Sequence, residues 1–144
     1  MPVGERLHAA LRRPRPLAAL DVERRAGGRP LRLHPRDARA SPTLDAIIGG
    51  LDRNGLIDRH DPEQDSSTDP CAPFLFPTCW LSEALQQSGR DGSRHFAAAV
   101  SARGSLDLFG EVADPNDNSP LGNYPQVQSH ASFLLAATTT PTSR

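Results

Sequence analysis

Every aromatic ring in this 144-residue chain lies after position 73: Phe74, Phe76, Trp80, Phe96, Phe109, Tyr124 and Phe133. Large rings dominate the energetics of a core, so the packable part of the chain is its second half. Residues 1–40 offer only Ala, Leu, two Val and Met1 as apolar groups, interrupted by Pro14, Pro16, Pro30 and Pro35. Prolines at that density break any helix longer than two or three turns. The length suits one domain with a core, and falls short of a large enzyme fold. Three stretches are expected: an irregular Arg/Pro-rich segment over 1–40, a folded unit over 41–137, and a frayed tail over 138–144.

Charge divides at the same place. Residues 1–40 carry ten Arg against Glu5, Asp21, Glu23 and Asp37, a net of +6, and the remainder carries −7. All basic charge is Arg. An Arg-rich arm can bind nucleic acid through phosphates. Without an accompanying motif or aromatic residue, the expected state is a lead-in segment and nucleic acid is not the expected partner.

The two cysteines, Cys71 and Cys79, are too few for a zinc site or a disulfide scaffold. Cys79 reads as a small buried residue on a helix and Cys71 as a loop thiol. No apolar run approaches the roughly 18 residues of a membrane span, and no signal-peptide h-region is visible. No membrane association is expected, and a cytoplasmic location follows by default. The histidines, at positions 8, 34, 60, 95 and 130, make no HxxxH or HxH cluster, so no metal is expected. No glycine-rich phosphate loop is present, and no cofactor is expected.

From Ser41 onward the pattern is helical. Ser41-Pro42 reads as an N-cap followed by Pro at the first helical position, with Leu44, Ile47, Ile48 and Leu51 forming one stripe. Gly49 and Gly50 weaken the end of that helix, and Gly55 supplies a residue able to take positive φ. Leu56–Pro62 is short and extended, and 63–70 is a polar loop. Phe74–Ser88 forms a second helix, with Pro77 near its first turn and Trp80, Leu81, Ala84 and Leu85 on one face. Ser93 starts a third, its apolar face made of Phe96, Ala97 and Val100 before Gly104. A fourth runs from Pro125 to about Ala137. No alternating strand pattern exceeds a few residues, so the expected fold class is all-α.

The stretch Leu106–Leu135, LDLFGEVADPNDNSPLGNYPQVQSHASFLL, carries one loop carboxylate, Glu111, then an Asp-Pro turn and a helix containing Ser129 and His130. It resembles the C-terminal end of glycoside hydrolase family 15, the inverting exo-glycosidases that include glucoamylases and bacterial trehalases. There the loop reads approximately L-L-S-E-E-x-D-P, followed by L-G-N-F-P-Q-A-F-S-H. Leu108, Glu111, Asp114, Pro115, Leu121 to Asn123, Pro125, Gln126, Ser129 and His130 fall on that pattern, with Tyr124 in place of Phe. Upstream, Thr43 to Ile47, Asn54 to His60, Phe74-Leu75 and Trp80 to Leu85 are similar to further pieces of the family in the same order. The resemblance covers about residues 41–137.

The resemblance implies a partial (α/α)6 toroid, about the last two helical hairpins of the ring. It implies inverting hydrolysis of α-glucosides, which uses two carboxyl groups about 6.5–9.5 Å apart. One protonates the glycosidic oxygen; the other activates water on the opposite sugar face. Glu111 takes the position of the family's general base. The family's general acid belongs to a part of the fold that these residues do not include. Asp107, Asp58, Asp61 and Asp69 do not replace it by context. The family's E-G-T at the sugar-binding mouth is here Cys71-Ala72-Pro73, so substrate contacts stay unassigned. The alternatives are a non-catalytic remnant, or a subunit completed by an upstream chain of the same enzyme.

Ser129 and His130 are neighbours on a helix and point about 100° apart, which suits packing or a helix hydrogen bond better than nucleophilic catalysis. An incomplete ring also leads to an expected exposed apolar patch around Trp80, Leu81, Phe96 and Phe133.

Overall fold

A computed structural model describes residues 37–61 and 72–139. The Arg/Pro-rich segment up to residue 36, the whole 63–70 loop, Cys71 and residues 140–144 lie outside the described residues. Helices α1 (Ala40–Leu51), α2 (Leu75–Gln87), α3 (Ser93–Ser101) and α4 (Val127–Thr139) make up the all-α frame. Two hairpins of two-residue strands complete it: β1 (Asp52–Arg53) with β2 (Leu56–Ile57), and β3 (Val112–Ala113) with β4 (Pro120–Leu121).

Helix α1 begins at Ala40, just ahead of the Ser41-Pro42 signal. Asp37 sets this start, accepting the Arg39 N–H at 2.9 Å through its side chain and the Ala40 N–H at 2.9 Å through its carbonyl. The helix also runs through Gly49 and Gly50, which lie on its open face, because Leu44, Ile47 and Leu51 on the other face are anchored in the core.

Asn54 (φ 54°) and Gly55 (φ 96°) form the two-residue turn between β1 and β2, the geometry that Asn-Gly favours in hairpins. Asp52 accepts the Gly55 N–H at 2.6 Å and pairs with Arg94 of α3. Burial alone pushes the Asp52 carboxyl up. The Arg94 guanidinium and the Gly55 N–H, with the charge of His95, outweigh that and hold it below the ordinary carboxylate value. His95 is buried, and its Nδ1–H donates to the Gly55 carbonyl at 2.8 Å.

Helix α2 is the hub, packed against α1, α3 and α4. Leu75, Pro77, Thr78, Cys79, Leu81, Ser82 and Leu85 are all buried, which takes in most of its circumference, as suits a helix surrounded by others. Thr78 accepts the Ile57 N–H at 3.0 Å and donates to the Phe74 carbonyl at 2.7 Å, so its hydroxyl is satisfied inside the core. Cys79 is 1 % exposed, and burial pushes its thiol up to about 12. One cluster joins Leu44, Ile47, Leu51, Ile57, Leu81 and Leu85. A second joins Leu56, Leu75, Ala102, Phe109 and Ala113, with Phe133 against it.

Three expectations need correction. The apolar face of α3 is rotated: His95 and Ala99 are its buried residues, while Ala97 is exposed and Phe96 and Val100 are half-buried. Small Ala99 lets α3 approach Cys79 and Ala136 closely, and His95 is drawn in by its hydrogen bond. The apolar patch is also elsewhere. Leu81 is 2 % exposed, Trp80 packs edge-on against Phe76 at 5.0 Å, and Phe96 stacks on Phe133 at 5.3 Å. Exposed apolar side chains instead line the outer side of α4, at Val127, Leu134 and Leu135, with Leu106 in the preceding loop. Asp58, read as a polar-loop acid, is buried and paired with Arg53 at 2.9 Å.

At Gly92, the residue before α3, the backbone lies close against α2 at Ser82. A Cβ there would sit 2.4 Å from the Ser82 carbonyl oxygen, and Ser82 Oγ donates to the Gly92 carbonyl at 2.9 Å. Backbone atoms cannot swing aside as a side chain does. Gly92→Ala should therefore destabilise by about 1–3 kcal/mol in urea unfolding. Gly49→Ala, in open space on α1, should be neutral or stabilising by about 0.5–1 kcal/mol. Equal effects of the two would contradict this packing.

Candidate functional site

The loop carrying Glu111 is built on one buried ring. Phe109 is 5 % exposed, lying 4.7 Å from the Phe133 ring and edge-on to His130 at 5.3 Å. Its carbonyl accepts the Gln126 N–H at 2.9 Å, and its N–H donates to His130 Nε2 at 3.3 Å. With Nε2 accepting, Nδ1 of the neutral ring carries the proton and donates to the Gln126 carbonyl at 2.9 Å. Gln126 in turn caps α4, its Oε1 accepting the Ser129 N–H at 2.7 Å and the Ser129 hydroxyl at 3.0 Å. Ser129 and His130 thus serve helix and loop structure. The helix starts at Val127, two residues past the expected Pro125, with Gln126 as its cap.

Two glycines allow the strands to close on this loop. A Cβ on Gly110 would lie 2.9 Å from Pro120 Cβ, and one on Gly104 would meet the Tyr124 hydroxyl at 2.5 Å. The β3–β4 hairpin pairs Val112 with Leu121 and Ala113 with Pro120. Phe74 bridges β2 to β3: its N–H donates to Ile57 O at 2.8 Å, and Pro73 O accepts the Ala113 N–H at 2.9 Å.

Glu111 stands at the join of these parts. Its N–H donates to Asn123 O at 3.0 Å, and its carbonyl accepts the Leu75 N–H at 3.1 Å, at the start of α2. The side chain is half-buried, and Oε2 accepts from the Asn123 side-chain amide at 2.8 Å and the Asn123 N–H at 3.3 Å. Gly122, at φ +72°, turns the backbone beneath it.

The nearby acids are committed to other work. Asp114 accepts from the Asn116 N–H at 2.8 Å and its side chain at 2.9 Å; Asp117 accepts the Ser119 N–H at 2.8 Å. Hydrogen bonds from Ser119 hold the Asp117 carboxyl below its ordinary value. Asp107 pairs with Arg103 at 3.3 Å. An open depression of about 610 Å³ lies along α3, lined by residues that include Phe96, Val100, Arg103 and Asp107, and Glu111 is not part of it. Among the described residues, no group of three His, Cys, Asp or Glu could hold a metal ion, and no helix is long and apolar enough to cross a membrane.

Residue type and order single out Glu111, whereas the role of Asn123 emerges only in the fold. The signal available was its position beside Gly122, a residue able to take positive φ and so to fold the amide back over the carboxylate.

The chain is similar to two trehalases. It is 32% identical over 96 residues to Trehalase 1 of Sulfolobus acidocaldarius, covering 65% of this chain and 17% of that protein. It is 30% identical over 108 residues to a trehalase of Mycobacterium tuberculosis, covering 72% of this chain and 16% of that protein. The chain therefore spans about one sixth of the length of these curated relatives. No protein-family model matches it, and no solved structure does. The two matches support a glycoside hydrolase relationship.

Proposed function

We propose that the chain provides the general-base part of an α-glucoside hydrolase of the trehalase kind, within the inverting family 15 and its (α/α)6 toroid. Glu111 takes a proton from the water that attacks the anomeric carbon. The observation that carries this reading is a carboxylate on a loop anchored by the buried Phe109, with Oε2 bonded to Asn123 and no hydrogen bond to Oε1 among the described residues. Likeness to two trehalases supports the substrate class.

Inverting hydrolysis also needs an acid to protonate the leaving oxygen, on the far side of the sugar ring. The carboxylates flanking Glu111 serve their own turns or an arginine, so the acid comes from outside these residues. The partner that fits is the remaining part of a trehalase-like polypeptide, acting as an upstream chain of the same enzyme. The same commitment of the neighbouring acids favours, as second reading, a non-catalytic remnant.

The test is glucose release from trehalose. The purified chain is assayed alone and mixed with the Mycobacterium tuberculosis trehalase truncated before the region similar to this chain. Release by the mixture, with neither component active alone, is the expected result. Release by the chain alone would show that its acid lies within it. No release by a mixture that copurifies would leave the remnant reading in place of this one.

A further inference from the structure

We infer that Asn123 is the positioning residue of the candidate base, holding Glu111 Oε2 so that Oε1 is the oxygen presented to water. The inference rests on the reading of Glu111 given above, and concerns how that carboxylate is aimed.

A glutamate on a loop has three side-chain torsions, and an unrestrained carboxylate would sample many directions. Here two donors from one residue converge on the same oxygen, the Asn123 amide at 2.8 Å and its N–H at 3.3 Å. Hydrogen bonds to an ionised acceptor are about twice as strong as neutral ones, so this pair selects one orientation. Main-chain bonding between Glu111 and Asn123 at 3.0 Å fixes the base of the side chain against its donor. Gly122 makes the approach possible, since a Cβ there would lie 3.0 Å from Oε2 and 3.1 Å from the Glu111 Cβ. Among the described residues Oε1 accepts no hydrogen bond, which leaves it to bind the attacking water. A base must sit within hydrogen-bond reach of its proton in a defined direction, and that direction is what Asn123 supplies.

The experiment uses the full chain, isotope-labelled, with three-bond couplings reporting the Glu111 χ1 and χ2 rotamers. Wild type should show one dominant rotamer. Asn123→Asp keeps the shape of the side chain but replaces its N–H donors with an acceptor, so Glu111 should average over several rotamers. Asn123→Ala should do the same. Retained order in Asn123→Asp, with the rest of the spectrum unchanged, would mean that the Asn123 side-chain amide does not hold Glu111, and would overturn the inference.

Should either Asn123 variant fail to fold, Glu111→Gln reads the contact from the other side. The Asn123 side-chain amide proton should move upfield on facing a neutral acceptor, and an unmoved proton counts against the contact. These readouts need no activity. In the complemented trehalose assay, Asn123→Asp should lower kcat roughly ten- to a hundredfold with KM within about twofold. A parallel rise in KM would point to a substrate contact instead. Failure of Glu111 as base would show separately, as an active Glu111→Gln mixture with Asn123 still ordering the side chain.

Discussion

Glu111→Gln should reduce glucose release by the complemented mixture by about 10²–10⁴-fold, the contribution typical of a positioned acid or base. The amide keeps the size of the carboxylate, and its oxygen can still accept from Asn123, so loop and fold remain intact. It cannot take a proton from water at neutral pH. Complex formation and sugar binding should therefore persist while kcat falls. Glu83→Gln is the matched control: Glu83 lies on α2, its Oε1 accepting from Gln87 at 2.7 Å, away from the loop. Activity of Glu111→Gln within a few-fold of wild type would remove Glu111 from the mechanism.

Phe109→Ala should be the most damaging single substitution for stability, costing about 3–5 kcal/mol. That is a large fraction of the roughly 5–15 kcal/mol by which such domains are stable. The ring is 5 % exposed and touches both Phe133 and His130, so truncation opens a cavity where the loop meets α4. The backbone bonds from Phe109 to Gln126 and His130 would then lose the packing that aligns them. Urea unfolding measures the loss. Leu106→Ala, at 72 % exposure in the same loop, should stay within about 0.5 kcal/mol. A loss below about 1 kcal/mol for Phe109→Ala would mean that the loop is anchored elsewhere.

The helices were legible in the sequence where a one-sided stripe met a clear terminus. Leu44, Ile47 and Leu51 recur at helical spacing and do line the buried side of α1. Helix α2 occupies the expected stretch, because Pro77 suits its first turn and Gly89, at φ +77°, suits the residue beyond its end. The short hairpins were not legible as strands. Two-residue strands contain no period to detect, although Asn54-Gly55 is a turn signal that the eventual β1–β2 pairing used.

Local pattern misjudged α3 for a tertiary reason. Periodicity ranked Phe96, Ala97 and Val100 above His95 because it weighs hydrophobicity alone. In the fold, a carbonyl at Gly55 satisfies the imidazole, and a small face of Ala99 fits a tight contact that a larger residue would block. The misplaced apolar patch has the same origin. Trp80 and Phe133 found partners among Phe76, Phe96 and Phe109, leaving the opposite side of α4 bare.

The candidate site divides along the same line. Residue type and order alone single out Glu111, since a loop carboxylate between Leu108 and Asp114-Pro115 is a local arrangement. Which oxygen of Glu111 is held, and by what, depends on the β3–β4 hairpin bringing Glu111 and Asn123, twelve residues apart in sequence, side by side. Likewise Asp58 looks like a solvated loop acid until the β1–β2 turn folds Arg53 against it. Sequence spacing encodes contacts within a helix or a turn, where backbone geometry sets the distance. Partners joined across a hairpin or between helices are chosen by packing, and only the folded chain contains that information.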